Sequence, residues 1–329
     1  MKNKLSILAL LSSLFLTACS KDNGVSNKNL PIEVSFNVSD FQGELRAANE
    51  PGSAAEQKID NLYFLLFDNA GTHPQRYYID NGSTAGATWV VTEKKVILPM
   101  TQNEARDRQV YIVANVDPFV KGKLDGVNSV SALQSVFVSN EKPWSDQIKS
   151  PFLMSGHKNH DFRTNYQLKT IPLVRSVAKI ELNIKLSEKY RVKREGSSAN
   201  LNNFRYRYVN FDKHTYVLKP GSKVDDLINS VDDVWPSVAN WQTWGASLNT
   251  VPSPDAGFGY KLDNQGKVQT LKAITYLNER DHKGTAIQIA LYPLDEGLLP
   301  PPEFGPEFHA IPLPDKIERN HWYSYDIEI

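Results

Sequence analysis

The chain is poor in cysteine, in net charge and in long apolar runs, and each shortage closes off a class of protein. Cys19 is the sole cysteine among 329 residues, so no disulfide can form within the chain and no thiolate metal site can be assembled. Stability must come from packed cores. The 37 basic residues match 37 acidic ones, and no basic stripe marks a nucleic-acid surface. Beyond the first two dozen residues, no apolar run approaches the roughly 20 residues that a helix needs to span about 30 Å of hydrocarbon. Catalytic signatures are missing too: there is no Gly-x-Ser-x-Gly elbow, phosphate loop or His-Glu-x-x-His helix. Of seven histidines, only His157 and His160 cluster, with Asp161 beside them. Their spacing matches no zinc signature, and Ser155 to Asp161 reads as a solvated loop between strands. The acidic pairs Asp225-Asp226 and Asp232-Asp233 read as wet surface rather than as glycosidase carboxylates. No residue stands out as catalytic, as a metal ligand or as a cofactor contact, and the chain is expected not to be an enzyme.

What is present begins at the amino terminus. Lys2 and Lys4 precede an apolar run from Leu5 to Leu16, followed by Leu16-Thr17-Ala18-Cys19, the order of a secretory signal peptide. The ending resembles the lipobox of bacterial lipoproteins, which implies cleavage before Cys19 and acylation of its thiol with palmitate-type chains. Residues 1–18 are thus expected to be removed, and residues 20–30, polar and rich in turn formers, read as a tether.

Strand signals fill the rest. Ile32, Val34, Phe36 and Val38 alternate with polar residues, the period of a half-buried strand. Residues 40–57 lack periodicity and read as an exposed loop. Ile59 to Phe67 is nearly all apolar, as a strand buried on both faces would be, and ends in the turn sequence Asp68-Asn69-Ala70-Gly71. Val90 to Leu98 and Val110 to Val116 read as further strands, and Val130 to Phe137 has helical spacing. Ala178 to Leu186 alternates over nine residues, which sends Ile180 and Ile184 inward and Lys179 and Lys185 outward. Phe204 to Tyr208, Ile287 to Leu291 and Tyr323 to Ile329 alternate as well. Pro300 to Pro314 holds too many prolines for a central strand. Strands separated by turn-rich connections, with little helix, predict an all-β protein of antiparallel sandwiches. A mature chain of about 310 residues exceeds the size of a single core, and the expected division is residues 47–187 and 188–329.

Two stretches go beyond generic patterning: Pro172-Leu173-Val174-Arg175-Ser176-Val177-Ala178-Lys179-Ile180 and Arg319-Asn320-His321-Trp322-Tyr323. They resemble the Leu-x-Arg-x-Val-Ala-Lys-Ile and Arg-Asn-x-x-Tyr strands of fimbrillins. Ile59-Asp60-Asn61-Leu62 and Tyr276-Leu277-Asn278-Glu279 are similar to two other segments of that family. The resemblance implies two transthyretin-like β-sandwich domains in tandem and a role as a subunit of type V pili. It implies export as a lipoprotein to the outer membrane and cell surface, and an Arg-specific maturation protease that cuts after the first strand, here at Arg46-Ala47. Residues 19–46 would then leave, carrying Ile32, Val34, Phe36 and Val38 out of a groove that another pilin subunit fills by strand addition. The family's donor segment follows the last strand, whereas this sequence stops at Ile329, inside the matching strand. That favours a tip or accessory pilin, with a host or bacterial surface ligand as a further partner, over a stalk subunit. Two rival expectations are an anchor subunit that keeps its lipid and a surface carbohydrate-binding lipoprotein. The second rests on Trp235, Trp241 and Trp244, whose indoles are either core or a sugar platform.

Overall fold

The computed structural model describes residues 30–45, 48–80, 83–84, 86–139, 148–191, 204–221, 227–228, 241–243, 247–248, 257–293 and 306–329. Cys19, Arg46, Ala47, Trp235 and Trp244 lie outside them.

Asn61–Phe67 is apolar along its whole length because both of its faces are covered. Leu62, Phe64 and Leu66 enter the first core. Tyr63, Leu65 and Phe67 turn the other way, toward Val120 and Leu124 of the helix Pro118–Asp125 and Leu133 of the helix Val130–Gln134. Both helices start where the sequence supplies a cap: the Asp117 carboxylate accepts from Val120 N at 2.7 Å and the Ser129 hydroxyl from Ala132 N at 3.1 Å. The helical spacing noted from Val130 holds to Gln134, after which Phe137–Ser139 is a short strand.

Around Asn61–Phe67 runs a layer of strands in the order Ser83–Thr84, Gln75–Asp80, Asn61–Phe67, Asp107–Ala114, Met154–Asp161. A second layer has the order Gln167–Arg175, Pro31–Val38, Lys95–Thr101, Thr88–Val90. The two join because the end of Gln167–Arg175 pairs back on Met154 and Ser155 through Arg175 and Val174. At that crossing the backbones come so close that a Cβ on Gly156 would lie 2.2 Å from the Pro172 carbonyl oxygen, so only glycine fits. The strand expected over Val90 to Leu98 is broken by a single 3-10 turn, Val91–Glu93, into two antiparallel neighbours.

The second sandwich packs a six-stranded sheet on a four-stranded one around a separate core. The larger sheet has the order Ser247–Leu248, Gly257–Leu262, Val268–Asn278, Val177–Lys185, His321–Glu328, Gln42–Leu45. Glu307–Pro312, in the proline-rich stretch, is an outer strand of the smaller sheet, where a missing N–H costs no ladder bond.

Three sequence expectations need correcting. Val177–Lys185 does not close the first unit: it pairs with Val268–Asn278 and His321–Glu328, so the chain crosses between sheets at Ser176 rather than near residue 187. The polar stretch after it carried the stronger turn composition, but the change of sheet needs only one residue. Residues 40–57 are not a plain exposed loop, since they contain the strand Gln42–Leu45 and the buried side chains of Phe41 and Glu56. Ser155 to Asp161 is a strand, not a loop, because its polar side chains occupy the outer surface of a sheet. There His157 stacks on Tyr111 at 4.9 Å, and His160 Nε2 lies 2.8 Å from the Asn165 carbonyl oxygen. Among the described residues no three His, Cys, Asp or Glu side chains converge to hold a metal ion.

Candidate functional site

The alternation of Ile32, Val34 and Phe36 makes Pro31–Val38 a strand, and its position makes it unusual: it lies between two neighbours, not at an edge. It runs parallel to Gln167–Arg175, with Val34 opposite Leu168 and Val38 opposite Leu173, and antiparallel to Lys95–Thr101, with Val34 opposite Val96. Ile32 and Val34 are fully buried and Phe36 is 3% exposed. Val38 is half-buried against the same core. The other face is polar and tied down from outside, with the Glu33 carboxylate 3.3 Å from Lys95 Nζ and accepting from Gln167 Nε2 at 2.9 Å. Take the strand away and a slot remains between two unpaired ladders, flanked by Leu168, Ile171 and Leu173 on one side and Val96 and Leu98 on the other.

Beyond Val38 the chain leaves this sandwich for the other one. Ser39 N donates to Leu173 O, Phe41 exchanges backbone bonds with Glu50, and Gln42 N donates to Asn320 O. Gln42–Leu45 then lies parallel to the last strand, from Gln42 opposite His321 to Leu45 opposite Ser324. The residue after Leu45 is Arg46, and the first described residues past it, Ala48 and Asn49, are exposed.

Under this crossing the two resemblance motifs meet. Arg175 has no exposed surface, yet every bond it makes is a link between distant segments. Its guanidinium donates to the carbonyls of Ser39 (2.8 Å), Pro51 (2.8 Å) and Glu56 (2.9 Å) and to the Asn320 side chain (2.8 Å). Burial pulls its pKa down to about 10, and the nearby Glu56, Tyr276, Asp40 and Glu50 resist that fall. Asn320 in turn donates to the Asp40 carbonyl at 2.6 Å. Lys179, expected to face solvent, is 6% exposed and sits 3.0 Å from the buried Glu56 carboxylate, with its Nζ 4.9 Å from the Trp322 ring centre. The strand's outward face is covered there by the segment around Glu56, which the alternation of Val177–Lys185 could not reveal. A second buried pair, Arg319 with Glu279, anchors the last turn before the final strand, and Arg319 also donates to the Tyr216 and Val217 carbonyls. Arg175, Lys179, Glu279, Arg319 and Asn320 are thus the polar frame of the junction between the sandwiches.

Burial pushes the Glu56 carboxyl upward, but the Ser53 N–H at 2.6 Å, the Tyr276 hydroxyl at 2.7 Å and Lys179 together hold it below the usual 4.5. A carboxyl lowered in the folded state contributes stability above its unfolded pKa, and that contribution drains away as pH falls through the lower folded value. Glu56→Gln is therefore expected to cost about 1–3 kcal/mol at pH 7 and to flatten the loss of stability between about pH 5 and 3. Urea midpoints across that range check it, and parallel profiles for the two proteins would refute it.

Phe41 and Glu56 escaped the sequence reading because neither belongs to a periodic run and both sit among small polar residues. Trp241 is half-buried, 5.6 Å from the Phe308 ring and with the Arg207 guanidinium 4.8 Å from its own.

Comparison with known proteins places this geometry. A family model described as major fimbrial subunit protein (FimA) matches residues 32–177, and one described as minor fimbrium tip subunit MfA4, C-terminal, matches residues 176–328. The two meet where the chain passes from one sandwich to the other. The minor fimbrium tip subunit MfA4 of Porphyromonas gingivalis is 53% identical over 333 residues, covering 100% of both chains. Among solved structures, a putative cell adhesion protein from Bacteroides eggerthii superposes with TM-score 0.53 at 16% identity, covering 93% of this chain and 88% of that one. The tip fimbrial protein Mfa3 from Porphyromonas gingivalis, with C-terminal truncation, gives 0.50 at 13% identity, covering 91% and 95%. At those identities the structures speak to the fold alone.

Proposed function

The chain belongs to the fimbrillins, a family of non-enzymatic fimbrial subunits that assemble with other pilins at the cell surface, and from that we propose that it is a tip or accessory pilin activated by loss of its first strand. The observation that carries the proposal is the placement of Pro31–Val38. A strand with three buried apolar side chains and neighbours on both sides, connected to the rest of the chain through Arg46, is the piece whose removal opens a strand-shaped slot. An Arg-specific maturation protease cutting Arg46-Ala47 would free it. The exposed Ala48 and Asn49 that follow support access to that bond. Before the cut, acyl chains on Cys19 would hold the precursor on the outer membrane, and the mass of the precursor's amino-terminal peptide reads whether they are there.

The tip position draws support from the name of the 53% identical relative. A subunit at a filament's end has its outward surface free for adhesion. Immunogold labelling of intact cells with antibody to this chain is expected to mark filament ends. Label spread along the shaft would overturn the tip reading, and label confined to the cell body would point to an anchor.

A further inference from the structure

We infer that the emptied acceptor ends in an aromatic socket at the junction of the two sandwiches, and that it selects donor strands carrying an aromatic ring five residues past the place of Phe36. The inference rests on the strand-replacement reading above and adds to it a determinant of which donor is accepted.

The socket is the site of Phe41, which is fully buried although it stands outside the alternating run that ends at Val38. The Arg175 guanidinium carbon lies over the ring, 4.0 Å from its centre, and Lys179 Nζ is 5.5 Å away. Gly52, at φ +79°, closes another side: a Cβ there would sit 3.0 Å from Phe41 Cε2 and 3.0 Å from the Glu56 carboxylate, so the missing side chain makes room for the ring. Glu50 bonds the Phe41 backbone in both directions. Each of these walls, Glu50, Gly52, Arg175 and Lys179, comes after Arg46. The ring that fills the space comes before it. Maturation would therefore remove the occupant and leave the walls.

An empty socket is unfavourable in a particular way. Arg175 would lose the Ser39 carbonyl, and Asn320 would lose both the Asp40 carbonyl and the Gln42 N–H, leaving a buried cation and a buried amide short of partners. Any extended backbone running in the departing strand's direction restores those bonds whatever its sequence. Only the ring restores the packing and the attraction between a cation and an aromatic face. Backbone contacts thus supply general affinity and the socket supplies choice. The ligand it fits is a neighbouring pilin's strand with alternating apolar residues, as at Ile32, Val34 and Phe36, then an aromatic at the place of Phe41.

The chain's own leaving segment is a ready probe. The full-length protein is cut with an Arg-specific protease and incubated with excess isotopically heavy peptide of residues 30–45. Replacement of the resident segment is then read by native mass spectrometry. The unaltered peptide is expected to enter, and the Phe41→Ala peptide to bind roughly thirtyfold more weakly or worse, given the cost of emptying a buried aromatic site. A Phe41→Leu peptide, which fills space but offers no aromatic face, is expected to fall between the two. If the alanine peptide binds within about twofold of the unaltered one, the socket selects nothing and only that inference falls. If no peptide enters, strand replacement itself fails and takes the socket with it.

Discussion

Arg46→Ala is expected to leave a folded precursor whose uptake of a donor strand drops by about a thousandfold, the ratio of a millimolar tethered competitor to a micromolar free one. The first strand already fills its slot, and burying Ile32, Val34 and Phe36 at roughly 25 cal/mol per Å² contributes several kcal/mol, an upper figure because unfolded chains are partly compact. While Leu45 remains joined to the body of the protein, a strand that slips out returns before a neighbour arrives. Cutting the chain turns that competitor into a dissociable peptide and lets a longer donor win. Treating wild-type and Arg46→Ala proteins with an Arg-specific protease, then adding a partner pilin, reads the difference as complex formed. Equal binding by uncut mutant and cut wild type would refute the activation step.

Substitutions along Val177–Lys185 should sort by what covers each face rather than by the alternation alone. Ile180→Asp places a carboxylate in the second core, where Ile180 is fully buried, at a cost of several kcal/mol out of a typical total of about 5–15. Lys185→Ala, on an exposed ion pair with Glu328, should change stability by less than about 1 kcal/mol. Lys179→Ala belongs with the first group despite its lysine, because it leaves the Glu56 carboxylate buried with less to offset it, a loss of about 3–5 kcal/mol. Thermal unfolding of the three variants separates them. Coincident melting of Ile180→Asp and Lys185→Ala would show that the strand's inward face is assigned wrongly.

Much of the fold was legible, and the limits are instructive. Period-two alternation marks Pro31–Val38, where apolar residues entering the core alternate with less buried polar ones, and also marks Phe204–Val209, Ala286–Leu291 and the last strand. It could not say which core. Val177–Lys185 reads the same whether it closes one sandwich or opens the next, and only its partners decide. Outer-face residues were misjudged wherever a loop covers them, as at Lys179. His157 and His160 read as loop residues because a strand with a wet face and polar residues carries no apolar signal beyond Met154. The strand Pro31–Val38 is therefore readable from sequence. The junction beside it is not, since it is built from single residues, Asp40, Phe41, Glu56, Arg175 and Asn320, that lie up to 280 positions apart.

The crossing at Ser176 has a mechanical side. Gln167–Arg175 belongs to the first sandwich, Val177–Lys185 to the second, and a single residue separates them. A strand seated beside Gln167–Arg175 lies parallel to it, so tension along that strand loads the whole ladder in shear and cannot peel its evenly spaced bonds one at a time. The pull then travels down one unbroken run of backbone into the middle of the second sheet, where Val268–Asn278 and His321–Glu328 grip it on both sides. No compliant linker stands between the two grips. A subunit built this way transmits a tug from surface contact to shaft as a stiff rod would, with little stretch spent inside the subunit itself.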